Sequence, residues 1–155
     1  MSVVGALSGA LRITRFHVHN DHQDWDVVPH GFTSANAVHQ LLARHPSPQL
    51  LRGVLHGALK VFLDRFLNVP AARLPDADHA RHTDLADLPA CWDAQGEIDQ
   101  AASIVVGHLR SGGRREEVVA ELGRALLAED AEFHWFQTIE AATRQAFAWP
   151  EGSEE

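Results

Sequence analysis

The stretch from Ser47 to Leu67 constrains the fold of this chain most strongly, because its apolar residues recur every three or four positions. Ser47 followed by Pro48 is a favourable pair for the N-cap and first position of a helix. The spacing predicts a helix to about Leu67 with its apolar residues on one face. These are Leu51, Val54, Leu55, Ala58, Phe62 and Phe66. Gly53 and Gly57 lie one turn apart, so another backbone can approach closely there.

Proline and glycine divide the remaining chain into further segments with helical spacing. After a break at Pro29 and Gly31, helices are expected over residues 34–45, over 94–110 with Gly112-Gly113 as the stop, and over 114–149. The last of these is one long helix or two helices that separate near Glu129-Asp130. Residues 68–92 contain three prolines and are expected to form a long loop with at most a short helical turn.

The N-terminal region has a different pattern. Residues 11–26 begin with partial alternation of apolar and polar residues and end in a polar stretch, which indicates an extended segment or an irregular loop. We therefore predict an all-α fold in which residues 1–30 are irregular and residues 34–149 form the helical core. The expected architecture is a single domain of 155 residues, a compact bundle of four to five helices.

Charge and cysteine content limit the partners and the compartment. With 13 basic and 21 acidic residues the net charge is −8, which argues against nucleic acid as a partner because phosphate binding needs clustered Lys and Arg. The first eleven residues are too short to cross a bilayer, so no membrane partner is expected. Cys91 is the only cysteine, which excludes an intrachain disulfide and a cysteine-based metal site and fits a reducing, cytoplasmic location.

Histidine is the unusual component, with 11 copies in the chain. Imidazole is a common ligand of transition metals. Asn36 and His39 share a helical face, so the amide of Asn36 can orient the imidazole, as the neighbours of metal ligands do. His30 lies nine residues before His39 and can converge with it only if His30 sits in a loop before the helix. Alternatively, His39 is a partly buried helix residue that bonds to Asn36.

Asp130 and His134 are the second candidate pair. At positions i and i+4 of one helix their side chains project from the same face. A carboxylate and an imidazole at this spacing can ligate one metal or act as an acid–base couple. The spacing is also frequent among surface pairs that only support the helix.

His56 is the third candidate. If the helices before and after Ser47 form an antiparallel hairpin, His39 and His56 lie within roughly 3 Å of the same height. His56 would then be a further ligand or an acid–base residue, or else an exposed side chain. His17 and His19 could share one face of a strand, as in His-x-His metal sites, or belong to a solvated loop.

Several segments resemble a known protein group. Residues 16–26, 33–40, 63–75 and 129–134 resemble a helical region of bacterial proteins that carry a Rieske iron–sulfur domain, although this chain lacks that domain. The element His30-x-x-Thr33-x-x-Asn36-x-x-His39 is also similar to segments of questin-oxidase-like proteins, which are oxygen-using enzymes of aromatic polyketide metabolism. The first resemblance implies a Rieske-type electron-transfer partner.

Two functions from different classes are compatible with these observations. The first is a metal-dependent oxidoreductase domain or subunit, with non-haem iron as the favoured transition metal and an unknown small-molecule substrate. Its metal ligands would be His30, His39, His134 and Asp130, and its acid–base residues His56 and Asp130. The second is a non-catalytic helical module that binds a redox partner or mediates homo-oligomerisation. Whether the chain is an enzyme stays open at this point.

Overall fold

The computed structural model describes residues 2–16, 22–75, 84–94 and 97–149, and all regular secondary structure in these ranges is helical. The helices are α1 Ser2–Thr14, α2 His22–Arg44, α3 Pro48–Leu63, α4 Leu88–Trp92, α5 Ile98–Arg110, α6 Arg115–Ala128 and α7 Phe133–Ala148, with 3-10 turns at Asp64–Asn68 and Leu85–Asp87. The all-α prediction is confirmed. The predicted count of four to five helices is wrong, because the described ranges contain seven α-helices.

Part of the difference lies in the N-terminal region, which was expected to be irregular up to residue 30. Helix α1 occupies residues 2–14, and α2 begins at residue 22 and continues through Pro29. A proline inside a helix removes one backbone hydrogen bond and crowds the preceding turn. Packing against α1 offsets this penalty: a Cβ added to Gly9 would lie only 3.0 Å from the Cα of Phe32 on α2.

Contacts within the chain group into two compact units. Unit 1 comprises Met1–Arg73 and Glu140–Gln145, and unit 2 comprises Leu74–Ile139 and Ala146–Glu155.

The core of unit 1 lies where α1 ends and α2 begins. Phe16, Val28 and Leu67 are buried together, and Trp25 meets the ring of Phe16 edge-on with the centroids 4.7 Å apart. Such edge-to-face aromatic pairs are favourable beyond the area that they bury.

Helix α3 has a capped start, and its end is bonded to α1. At its start, the Ser47 hydroxyl accepts a hydrogen bond from the Leu50 N–H at 3.2 Å, which confirms the predicted N-cap. At its end, the guanidinium of Arg12 donates to the carbonyl of Val61 at 3.0 Å and to that of Arg65 at 3.3 Å. A cation placed there complements the negative end of the helix dipole.

Unit 2 has its own core and well-formed helix ends. Leu88, Cys91, Ala101 and Ile104 are buried together. Helix α5 ends in a Schellman motif, in which the Gly113 N–H donates to the His108 carbonyl at 2.9 Å and the Gly112 N–H to the Leu109 carbonyl at 3.2 Å. Gly112 has a φ of +89°, which glycine adopts without strain. The predicted stop at Gly112-Gly113 is confirmed.

Candidate functional site

His30 and His39 lie on one continuous helix, α2, and not on a loop and a helix as their convergence required. Nine residues correspond to two and a half turns, so the two side chains leave the helix on opposite sides. The prediction that these two imidazoles converge is therefore wrong, because α2 begins twelve residues earlier than the predicted helix.

A groove between α2 and α3 brings His30 together with His56 instead. Its volume is about 600 Å³. The residues that line it come from both helices and are His30, Ser34, Ala35, Val38, Gly53, His56, Gly57, Leu59, Lys60 and Leu63. Two of the predicted site residues thus share one concave surface in unit 1.

The register of the α2–α3 hairpin explains this pairing. A Cβ added to Gly53 would lie 3.1 Å from Val38, and one added to Gly31 would lie 3.7 Å from Lys60. By the same register His56 lies level with Ala35, about halfway along α2 between His30 and His39. The predicted approach of another backbone is not seen: the neighbour at Gly53 is the side chain of Val38, and a Cβ added to Gly57 would meet no atom within 4 Å in the described part of the chain.

The amide of Asn36, which the sequence suggested as the orienting group of His39, is bonded to residues of α7 that belong to unit 1. Its Oδ1 accepts from Gln145 Nε2 at 2.8 Å, and its Nδ2 donates to Glu140 Oε2 at 3.2 Å. Glu140 also accepts from Arg144. In this structure the amide therefore joins α2 to the α7 residues that belong to unit 1.

Asp130 and His134 belong to unit 2, and the helical spacing assumed for them is not present. The alternative with two helices is the one observed, because α6 ends at Ala128 and α7 begins at Phe133. Asp130 therefore lies exposed in the turn that precedes α7 and does not share a helical face with His134. The His134 ring lies 4.4 Å from that of Phe133 between centroids.

The described residues contain no group of three or more His, Cys, Asp or Glu side chains that could hold a metal ion. His17 and His19 lie outside the described residues. The two imidazoles of the α2–α3 groove are fewer than the three protein ligands of a typical catalytic zinc site. Metal binding by His30, His39, His134 and Asp130 thus stays a prediction.

A second surface of unit 1 is large and apolar. We define the outer face of α3 as Leu51, Leu55, Leu59, Phe62 and Phe66, the last of which lies in the 3-10 turn after the helix. Each of these side chains exposes between 51 and 67% of its surface. None of the 16 residues of the helix is fully buried.

Helix α3 is apolar on both sides. Gly53 contacts α2, whereas the helical spacing places Leu51, Leu55 and Phe62 on the opposite side. Leu59 lies at the edge of the outer face and also lines the α2–α3 groove. Four of the outer-face residues belong to the apolar stripe that the sequence predicts for this helix, and Gly53 marks the side on which α2 packs.

The charges along α3 are of one sign. Arg52 and Lys60 are its only full charges, and the helix contains no Asp or Glu although the chain carries a net charge of −8. Lys60 forms an ion pair with Asp64, one turn further on. The outer face can therefore be covered without burying a carboxylate.

Comparisons of the chain with protein families, curated proteins and solved structures find no match. Among the described residues, no helix combines the length and apolar character that a bilayer crossing requires.

Proposed function

We propose that this chain is a non-catalytic helical module that associates with another macromolecule through the outer face of α3. The observation that carries the proposal is the exposure of five large apolar side chains, each by more than half, on a helix without a buried residue. Contiguous apolar patches of this kind mark interaction sites in proteins that are otherwise folded.

The physical reason is the free energy of hydration. Each square ångström of apolar surface removed from water contributes about 25 cal/mol, so several half-exposed leucines and phenylalanines favour association strongly. The five residues recur at intervals of four, four, three and four positions, which aligns them along a single helical edge. This edge suits a partner that packs along it as a helix does.

Site-specific photo-cross-linking in cells that produce the protein tests this function. A photoreactive phenylalanine analogue at position 55 or 62 should form a cross-linked adduct. The same group at position 124 serves as the control, because Arg124 is an exposed polar residue on α6. Equal adduct yields at positions 55, 62 and 124, or no adduct at 55 and 62, would contradict the proposal.

A metal-dependent oxidoreductase, with non-haem iron as the favoured metal, is the second candidate function. It is supported by the presence of His30 and His56 on one groove. In this proposal His30 and His56 are metal ligands, His56 can also act as an acid–base residue, and a cytoplasmic Rieske-type protein delivers electrons.

Elemental analysis of protein purified without a metal-affinity tag tests this candidate. Near-stoichiometric metal that is lost in His30→Ala and His56→Ala supports it, provided that circular dichroism shows an unchanged helix content. His45→Ala is the matched control, because His45 is an exposed histidine in the link between α2 and α3. Protein without metal, or metal retained in both groove variants, would contradict it.

A further inference from the structure

We infer that the partner on the outer face of α3 is a second copy of this chain, with the two α3 helices packed antiparallel. The inference rests on the proposed function and names its partner. Such a contact is isologous, which means that each residue pair occurs twice, related by a two-fold axis.

The spacing of the outer face is symmetric under this operation. Its midpoint lies between Ala58 and Leu59, with Leu55 and Phe62 at equal distances on either side, and Leu51 and Phe66 likewise. In an antiparallel pair, Leu55 therefore meets the partner's Phe62, and Leu51 meets the partner's Phe66. A branched aliphatic side chain faces an aromatic one at each level, which fills the space between two helices well.

The available area is sufficient for a specific dimer. Leucine and phenylalanine side chains that are more than half exposed present on the order of 500 Å² per copy, taking aromatic side chains at 150–250 Å² each. Two copies together bury about 1,000 Å², which is the lower bound for a specific interface. Ala58, which is also exposed on α3, enlarges this surface.

Electrostatics sets the salt dependence of this contact. The interface contains no carboxylate from α3, whereas each copy carries a net charge of −8, so the copies repel one another outside the contact. Salt screens such repulsion beyond about 8 Å at physiological ionic strength. The dimer should therefore become tighter as the salt concentration rises, unlike a contact that depends on opposite charges.

Sedimentation velocity on the purified full chain measures the oligomeric state. We expect a species of twice the monomer mass of 17.1 kDa, and a monomer for the double variant Leu55→Gln/Phe62→Gln with unchanged helix content. Leu127→Gln is the control, because Leu127 is the most exposed large apolar residue on α6 and should leave the dimer intact. A wild-type monomer up to about 100 µM, where a micromolar dimer is assembled, would overturn the inference.

Cysteine cross-linking tests the antiparallel arrangement. Ala58→Cys lies next to the two-fold axis and should form a disulfide with its own copy. Leu51→Cys should not, because the two copies of residue 51 are separated by about 22 Å along the helix axis. A mixture of Leu51→Cys and Phe66→Cys should give the mixed disulfide. Self-cross-linking of Leu51→Cys would overturn the antiparallel pairing, and the wild type with its buried Cys91 serves as the blank.

The photo-cross-linking adducts separate this inference from the proposed function. Adducts at position 55 with the mass of two chains support the second copy as the partner. Adducts of another mass, or recovery of the chain with lipid vesicles through the same residues, would overturn the second copy while leaving α3 as an association surface. An absence of adducts would overturn both.

Discussion

Gln145 donates a hydrogen bond through its Nε2 to the Oδ1 of Asn36 at 2.8 Å, and both side chains are buried in unit 1. Asn36 in turn donates to Glu140, which accepts from Arg144 on the surface. This chain of side chains runs from the interior to solvent and links α2 to residues 140–145. Gln145 Oε1 has no hydrogen-bond partner in the described part of the chain, so Asn36 supplies the bond on which this amide depends.

Replacing Asn36 should therefore destabilise the fold. In Asn36→Leu the buried Gln145 amide loses its acceptor, and an unsatisfied buried donor costs about 1–3 kcal/mol. Urea unfolding followed by circular dichroism measures the change. The double variant Asn36→Leu/Gln145→Leu should be more stable than Asn36→Leu alone, since both polar groups are then removed. Gln49→Leu, at an exposed amide on α3, is the control, and a double variant less stable than Asn36→Leu would contradict the argument.

A close approach in unit 2 leads to a second prediction. His108 Nε2 lies 3.0 Å from Glu117 Oε2, and a Cβ added to Gly113 would overlap with the same nitrogen. Gly113→Ala must therefore displace the imidazole and break its hydrogen bond to Glu117. The free energy of unfolding should fall by about 1 kcal/mol. In a His108→Ala background the same substitution should cost much less.

Gly123→Ala is the matched control for Gly113→Ala. Gly123 lies inside α6, and an added Cβ would meet no described atom within 4 Å. Alanine there should stabilise the protein by about 0.5–1 kcal/mol, because glycine loses more backbone freedom on folding. Thermal or urea unfolding compares the three variants. If Gly113→Ala lowers the free energy of unfolding equally with and without His108, displacement of the imidazole is not the cause of the loss.

Helix ends that depend on neighbouring residues could be predicted from the sequence. Ser47-Pro48 begins α3, Gly112-Gly113 ends α5, and one of the two readings of residues 114–149 correctly separated α6 from α7. Each of these signals acts through hydrogen bonds or φ values within one turn. The predicted start of α2 at residue 34 is wrong, because the local penalty of Pro29 does not account for α1, an earlier helix of the chain that packs against α2.

The candidate sites depend on contacts that no local pattern contains. That His30 shares a groove with His56 follows from the register of two helices across the turn at Ser47. Periodicity correctly placed Leu55 and Phe62 on one face of α3. It could not show whether another part of the chain covers that face, because apolar residues recur at the same intervals in a core helix and in an interface helix.

The N-cap of α3 provides a third prediction. The Ser47 hydroxyl satisfies the Leu50 N–H, so Ser47→Ala should lower the stability by about 1 kcal/mol, whereas Ser47→Asp should retain it. Ser103→Ala is the control, because the Ser103 hydroxyl donates to the Asp99 carbonyl within α5 and caps no helix end. Urea unfolding measures the differences, and equal losses in Ser47→Ala and Ser47→Asp would contradict a capping role.

The last prediction concerns pH. Glu116 lies in the first turn of α6, where a backbone hydrogen bond and a side-chain hydrogen bond from Arg114 hold its pKa below the ordinary value of 4.5. A carboxyl group whose pKa is lower in the folded state stabilises the fold above its unfolded pKa and loses this contribution as the pH falls through the folded value. Glu116→Gln should therefore be less stable than the wild type at neutral pH, and the difference should shrink below pH 4.5 and vanish in stronger acid. Urea midpoints of both proteins across this range measure it, and a difference independent of pH would mean that the charge of Glu116 does not contribute.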